Sequence, residues 1–170
     1  MNPFAIRTAG SSDAEALVKY LAELRAERLP TILRYPTTPT IEEEAAFMRR
    51  FEREGADYFV AEVDGRIVGN LSIFRHVHPQ TAHSASLGMA VLAPYRSRGV
   101  GSCLLDAAIS WSERRKICRV ELEVLSNNEQ AQRLYARKGF IVEGRRRGAV
   151  EVDGSFVDAI LMARVPEGGS

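Results

Sequence analysis

The stretch VLAPYRSRGVGSCLLDAAISW, residues 91–111, decides the fold because it joins the end of a strand to a glycine-containing loop and a helix. An apolar run ends at Pro94, and Gly99 and Gly101 follow in the loop. From Val100 onward the apolar residues recur at the spacing of a helix, and they are Val100, Leu104, Ala107, Ala108 and Trp111. The pattern therefore predicts a strand–loop–helix unit.

The junction between this loop and the helix has the features of an anion site. The N-terminus of a helix presents unpaired backbone N–H groups and a partial positive charge. Glycines let a bulky anion approach the backbone, and Arg96 and Arg98 add fixed positive charge. We interpret the backbone from Arg98 to Ser102 as a pyrophosphate cradle.

Two common phosphate-binding motifs do not match this loop. A P-loop requires Lys and then Ser or Thr directly after its last glycine, whereas Ser102 and Cys103 follow Gly101. A dinucleotide fingerprint requires a third glycine at the position of Leu104. A glycine-tolerant helix start with surface arginines is the alternative that the loop by itself leaves open.

The composition is typical of a globular protein. The chain has 170 residues, of which 45% are hydrophobic and 26% charged, and its formal net charge is +1. This length suits one domain over residues 1–170, with a frayed tail at 166–170. The nearly neutral charge argues against a nucleic-acid-binding protein. No apolar run reaches the roughly 18 residues of a membrane span, so we expect no membrane partner.

Residues that could support redox or metal chemistry give weak signals. Cys103 and Cys118 lie in apolar patterns, which favours reduced thiols over a disulfide. His76, His78 and His83 have no cysteine or carboxylate partner at ligand spacing, so we predict no metal site. The N-terminal sequence MNPFAIRTAG lacks the apolar region of a signal peptide, and we therefore expect a cytoplasmic protein.

Periodicity and turn residues predict the remaining elements. Helices are expected to begin at capping boxes that start with Ser12, Thr40 and Ser126, and at Val100. Turns at Asp64-Gly65 and Asp153-Gly154 indicate hairpins. Predicted strands cover residues 4–8, 58–63, 66–74, 84–92, 117–125, 140–151 and 156–165. The order β-α-α-β-β-β-α-β-α-β-β predicts an α/β protein with a mixed sheet, in which the strands on either side of the 91–111 unit are parallel.

Two motifs carry a resemblance to a known family. The loop Arg96-Ser97-Arg98-Gly99-Val100-Gly101 resembles the acyl-CoA loop of the GCN5-related N-acetyltransferases, or GNAT family. About 30 residues further on, Val124-x-x-x-Asn128-x-x-Ala131-x-x-x-Tyr135-x-x-x-Gly139-Phe140 resembles the family's second motif. The resemblance is sharp over residues 84–162 and is closest to the branch of phosphinothricin-type and ribosomal-protein N-acetyltransferases.

The resemblance implies a GNAT fold in which acetyl-CoA is the cosubstrate and no metal takes part. In the family the pantetheine arm lies like an extra strand between two splayed parallel strands, and Gly88 fits a bulge expected in the first of them. The implied cofactor-binding residues are Met89, Ala90, Val91, Arg96, Arg98, Gly99, Val100, Gly101, Ser102 and Asn128.

The resemblance assigns an acid but not a base. Tyr135 matches the family's tyrosine, whose hydroxyl can protonate the departing CoA thiolate. Several relatives carry a glutamate base at the position of Ser86 in this chain. Glu121, Glu123, His83 and a water chain are the remaining candidates for deprotonating the amine.

The sequence therefore predicts an N-acetyltransferase that transfers the acetyl group of acetyl-CoA directly to a primary amine. A small-molecule acceptor is preferred because the chain shows no extended docking face for a macromolecule. The alternatives are a protein N-terminal or ribosomal-protein acetyltransferase and a non-catalytic acyl-CoA-binding module of the same fold. A homodimer is expected because that arrangement is common in the family.

Overall fold

A computed structural model of the chain describes residues 4–27, 37–53 and 56–165. The helices are α1 (Ala14–Ala26), α2 (Ile41–Arg53), α3 (Val100–Arg114) and α4 (Glu129–Arg137). The strands are β1 (Ala5–Thr8), β2 (Asp57–Val63), β3 (Arg66–Arg75), β4 (Ser84–Val91), β5 (Arg119–Leu125), β6 (Ile141–Val152) and β7 (Ser155–Arg164). This order confirms the predicted α/β succession of elements.

The strands form one mixed sheet whose central feature is a parallel pair. The seven strands lie in the order β1-β2-β3-β4-β5-β7-β6. Among the strands of the described ranges, only β4 and β5 are parallel neighbours, and they pair over Ser84–Ser86 and Arg119–Glu121. After the last of these pairs, Ser86–Glu121, β4 pairs only with β3 and β5 pairs only with β7. This separation leaves an opening between the two parallel strands.

Helices cover the two faces of the sheet. On one face, Leu104, Ala108 and Trp111 of α3 pack in a buried cluster with the alternate residues Val120 and Leu122 of β5. The opposite face of the sheet is covered by α1 and α2, and these residues form a second cluster: Leu17, Tyr20, Leu24, Met48, Phe51, Tyr58 and Val60. The opening between β4 and β5 therefore lies between the face of the sheet that α3 covers and the face that α1 and α2 cover.

The hairpin turns form where the sequence predicts them. Asp64 and Gly65 have φ angles of 48° and 77°, and Asp153 and Gly154 have 49° and 76°. Consecutive positive φ angles match the right-handed twist of the flanking strands. Cys103 and Cys118 are not joined in a disulfide.

Of the three predicted capping boxes, only the one at α2 is correct. Helix α1 follows a short 3₁₀ turn, where Asp13 accepts the Gly10 N–H at 2.9 Å, so Ser12 is not the cap. At α4, Asn128 Oδ1 accepts the Ala131 N–H at 3.2 Å and replaces Ser126 as the cap. At α4 the Asn128 side chain is nearer to the free N–H groups than Ser126 is, whereas at α1 the N-cap residue Asp13 makes no side-chain bond to the helix.

The α2 box gives a stability prediction. Thr40 Oγ1 accepts the Glu43 N–H at 3.2 Å, and Glu43 Oε2 accepts the Thr40 N–H at 2.8 Å. We expect Thr40→Ala to lower the free energy of unfolding by about 1 kcal/mol, because it leaves a first-turn donor unpaired. Urea denaturation measures the loss, and Thr38→Ala at the exposed threonine before it is the matched control. Equal stability of the two variants would contradict the cap.

Gly88 does not form a bulge, contrary to the expectation. The β3–β4 register runs without interruption from Gly69–Val91 to Arg75–Ala85, with Ser72 opposite Gly88. An added Cβ at Gly88 would meet only Ser72 Oγ, at 3.7 Å. The other interpretation of a strand glycine, close approach of another group, remains, because Gly88 lies where β4 leaves β5.

The predicted tail at residues 166–170 lies outside the described residues.

Candidate active site

A cavity of about 520 Å³ occupies the opening between β4 and β5. Its wall consists of residues 87–91 of β4, Arg96, Ser97 and Gly101 of the loop and α3, residues 123–125 of β5, and residues 127–131, 134 and 135 around α4. The two sequence motifs, 96–101 and 124–140, thus face each other across one cavity. Of the residues predicted to bind the cofactor or act as acid, those on the wall are Met89, Ala90, Val91, Arg96, Gly101, Asn128 and Tyr135.

The backbone of β4 turns alternate residues toward the cavity. The Leu92 N–H donates to the Val68 carbonyl at 2.9 Å, so the peptide groups of Leu92 point toward β3. Since peptide groups alternate along a strand, those of Ala90 also point toward β3, and those of Met89 and Val91 point into the opening. The Ala90 carbonyl additionally faces the Tyr20 hydroxyl at 2.9 Å. Met89 and Val91 therefore offer the backbone groups that an extended ligand can pair with.

The N-terminus of α3 forms the basic end of the cavity. Gly99 has a φ angle of 88°, and no side chain in the described ranges caps the helix. The N–H groups of Val100, Gly101 and Ser102 therefore remain available to an anion. A Cβ built on Gly101 would lie 3.1 Å from Leu134 Cδ2 and 3.4 Å from Met89 Cε. Glycine at this position keeps the approach to the helix end open.

The two loop arginines differ in their surroundings. Arg96 Nε donates to the Val91 carbonyl at 2.8 Å, and its guanidinium also pairs with Glu27 at the end of α1. Glu27 in turn accepts the Ala93 N–H at 2.7 Å. Arg98 is exposed, and its guanidinium carbon lies 6.0 Å from the centre of the Tyr95 ring. Arg96 thus braces the loop, while Arg98 is directed toward solvent.

Glu27 is a site-forming residue that sequence reasoning missed. It lies 69 positions before Arg96, and its place at the end of a predicted helix suggests only a solvated carboxylate. No local pattern in the sequence links it to the loop.

Tyr135 lies in the wall of the cavity on α4. Its side chain is buried, and this burial raises the pKa of the phenol to about 12. Phe140 packs against the ring, with the ring centres 5.8 Å apart. Because the pKa lies far above neutrality, the hydroxyl is protonated and can donate. Asn128 combines a place on the same wall with its capping bond to Ala131.

The candidate bases occupy different positions. Glu123 lines the cavity, and its Oε2 lies 2.9 Å from Nη1 of Arg146 on β6. Glu121 lies two residues earlier on the same face of β5 and pairs with Arg119 at 2.9 Å. His83 is exposed at the start of β4, outside the cavity wall. Glu123 is thus the candidate that reaches the cavity directly.

Comparison with known proteins decides the family. Residues 15–140 match the acetyltransferase (GNAT) family. The chain belongs to the GNAT family of acetyltransferases. It is 31% identical over 166 residues, 97% of this chain and 99% of the relative, to the L-amino acid N-acetyltransferase AaaT of Escherichia coli strain K12. Relatives named phosphinothricin and ribosomal-protein uS5 alanine acetyltransferases also match, in agreement with the predicted branch.

Solved structures agree with this assignment. A GNAT-family acetyltransferase from Streptococcus pneumoniae superposes with a TM-score of 0.82 at 28% identity, covering 95% of this chain and 98% of that one. The Salmonella typhimurium protein yncA, solved with its cofactor acetyl-CoA, superposes with a TM-score of 0.87 at 19% identity and covers 99% and 98%. At that lower identity the likeness concerns the fold alone.

This GNAT protein is an acetyl-CoA-dependent N-acetyltransferase, as the two motifs predict. The uncapped end of α3 and the narrow approach at Gly101 fit the pyrophosphate of that cosubstrate. Within residues 4–27, 37–53 and 56–165, no cluster of His, Cys, Asp and Glu side chains could hold a metal ion. In the same part of the chain no helix is both long enough and apolar enough to cross a bilayer.

Proposed function

We propose that this acetyltransferase acetylates the α-amine of a free amino acid or a close analogue. The Glu123–Arg146 pair carries the proposal, because Glu123 lines the cavity and its carboxylate lies 2.9 Å from the guanidinium of Arg146. An amino acid presents the complementary ammonium and carboxylate groups. The similarity to an L-amino acid N-acetyltransferase over nearly the full length of both chains supports the same acceptor class.

The same cavity would also hold the acetyl donor, acetyl-CoA. The N–H groups from Gly99 to Ser102 would hold the pyrophosphate, with Arg98 nearby and Arg96 bracing the loop. The peptide groups of Met89 and Val91 would pair with the pantetheine amides. Asn128, on the opposite wall, would contact the same arm. Acetyl-CoA supplies the thioester that is cleaved.

The chemistry needs an acid at the sulfur and a neutral amine at the carbonyl carbon. We assign the acid to Tyr135, whose phenol is protonated at neutral pH because burial raises its pKa to about 12. Amine attack forms the C–N bond, the C–S bond breaks, and the phenol proton passes to sulfur. The second N–H proton of the attacking nitrogen returns to Tyr135 through solvent.

Arg146 provides the test of the acceptor class. Its side chain is 57% exposed beside Glu123, so an acceptor carboxylate can reach it. We expect Arg146→Gln to raise the KM for an amino acid by about 10- to 100-fold, because a charge-assisted hydrogen bond is lost. The KM for the corresponding amino acid amide, which lacks the carboxylate, should stay within about 2-fold, by the same argument. Steady-state kinetics with both acceptors measures the difference.

The neighbouring exposed Arg147 is the matched control for this variant. Arg147→Gln removes the same charge from the same strand and should leave both KM values unchanged. If Arg146→Gln raises the KM for acid and amide equally, the guanidinium does not bind the acceptor carboxylate.

An acetylation screen separates the other acceptor classes. The wild-type protein is assayed with amino acids, polyamines, aminoglycosides and N-terminal peptides at saturating acetyl-CoA. Turnover restricted to peptides would assign the protein to N-terminal acetylation and overturn the proposal. A rise in melting temperature with acetyl-CoA but no turnover with any amine would indicate a binding module instead.

We also propose that residues 1–170 form one domain that works as a homodimer in the cytoplasm. Exposed apolar side chains on the outer hairpin support an interface there, and they include Ile141, Val142 and Phe156, the last of which is 76% exposed. Sedimentation equilibrium distinguishes the dimer from a monomer. Phe156→Ser should shift the monomer–dimer equilibrium toward the monomer.

A further inference from the structure

A polar cluster lies at the last rung where β4 and β5 are still paired. Ser86 is opposite Glu121 in that rung. Ser86 Oγ lies 2.8 Å from His76 Nε2 and 3.4 Å from Glu121 Oε1. His76 Nε2 and Glu121 Oε1 are 3.5 Å apart, so the three side chains contact one another. The loop after β3 thus brings an imidazole into contact with the Ser86 hydroxyl.

The imidazole lies beside a network of charged side chains. Glu121 Oε2 accepts from Arg119 Nε at 2.9 Å, and Arg119 Nη1 donates to Glu143 at 2.8 Å. Arg119 thus bridges the two carboxylates, and Glu121 Oε1 also lies 3.5 Å from His76 Nε2. A carboxylate at this distance would stabilise an imidazolium formed during the reaction.

The cluster is close to the place where the amine must react. Gly88 and Glu123 line the cavity, and they follow Ser86 and Glu121 by two positions on the same face of the sheet. Two residues of a strand span about 7 Å. A short chain of water molecules can therefore connect an amine in the cavity to the Ser86 hydroxyl.

We propose that His76 accepts the proton of the incoming ammonium group through Ser86 and intervening water, with Glu121 holding the imidazolium. The proton passes along the chain to the imidazole, and the nitrogen lone pair that it leaves behind attacks the thioester carbon. The C–N bond forms, the C–S bond breaks, and Tyr135 protonates the sulfur. His76 then releases its proton to solvent. This step deepens the proposed function, since it completes the acetyl transfer to an amine.

The test compares two acceptors that differ in amine pKa. One is the best amino acid substrate, and the other is its β-fluorinated analogue, whose amine is more often neutral at neutral pH. His76→Gln keeps a polar side chain but cannot take up the proton. We expect kcat/KM to fall about 100-fold for the ordinary amino acid, a typical loss of general-base catalysis, and less than about 5-fold for the fluorinated one. A structural role would lower both rates equally.

His78→Gln, an exposed histidine of the same loop, is the matched control and should leave both rates unchanged. The affinity for acetyl-CoA and the melting temperature report whether each variant is folded. Ser86→Ala keeps His76 but breaks the chain, and should show the same dependence on amine pKa with a smaller loss.

Equal losses with the two acceptors, or no loss, would overturn the role of His76. So would a pKa-dependent loss in Glu123→Gln that His76→Gln lacks, since that result would make Glu123 the proton acceptor. Failure of the proposed function looks different, because the wild-type protein would then acetylate no amino acid. In that case the same comparison is made with a pair of amines of the class that the screen identifies.

Discussion

Gly101→Asp is expected to weaken acetyl-CoA binding by about 100-fold or more. The new carboxylate would lie at the uncapped end of α3, where the pyrophosphate is proposed to bind. Two unit charges about 4 Å apart repel each other by roughly 4 kcal/mol at an effective dielectric constant of 20, which exceeds the energy of a 100-fold change. Calorimetry gives the dissociation constant directly, and the loss of the ligand-induced rise in melting temperature gives it independently.

Three further variants separate charge from crowding. Gly101→Asn has nearly the shape of the aspartate without its charge, and Gly101→Ala adds only a Cβ, 3.1 Å from the mobile end of Leu134. We expect the losses of affinity to increase from Ala to Asn to Asp. Ser110→Asp places the same charge on the exposed side of α3 and should bind acetyl-CoA normally. Wild-type affinity in Gly101→Asp would refute the pyrophosphate cradle.

Tyr135→Phe is expected to lower kcat by about 10²- to 10³-fold while leaving the dissociation constant of acetyl-CoA nearly unchanged, because only the proton donor is removed. The ring stays in its pocket against Phe140. Tyr58→Phe is the matched control, since it removes the hydroxyl that pairs with Asn70 at 2.8 Å. The control should lose stability but keep its kcat. Unchanged turnover in Tyr135→Phe would exclude the acid role.

The pH dependence adds a second measurement on the same residue. The acid must be protonated, so its activity is present at low pH and is lost as the pH rises through its pKa. Burial raises that pKa to about 12, and ionisation of Tyr135 should therefore not lower kcat between neutral pH and about pH 10. A falling limb in that range that disappears in Tyr135→Phe would show that the phenol ionises much lower.

Much of the fold could be predicted because its signals are local. The turn at Asp64-Gly65 and the helix start at Gly99 depend on backbone conformations that a few neighbouring residues determine. The alternation of apolar Val120 and Leu122 with Glu121 matches the burial of one side of β5. The capping box at Ser126 failed because Asn128 caps α4 instead, and the one at Ser12 failed because a short 3₁₀ turn precedes α1 and makes Asp13 its N-cap.

The candidate site likewise combines features that local sequence patterns predict with contacts that they do not. The two motifs predicted a single acyl-CoA site, and Gly101 and Tyr135 do line the same cavity. Only the pairing of β4 with β3 shows which peptide groups of residues 89–91 face that cavity. The contacts of Arg96 with Glu27, and of Ser86 with His76 and Glu121, follow from no local pattern.

The sequence by itself determined the order of the elements and the family, and it predicted the donor half of the site, because turns, periodicity and the glycine loop act over a few residues. The tertiary structure alone decided where β4 and β5 separate and which polar groups meet there. Glu121 lies 35 positions from Ser86, and Glu123 lies 23 positions from Arg146. Contacts of this kind depend on the register of strands that are distant in the chain, and no neighbouring residue encodes that register.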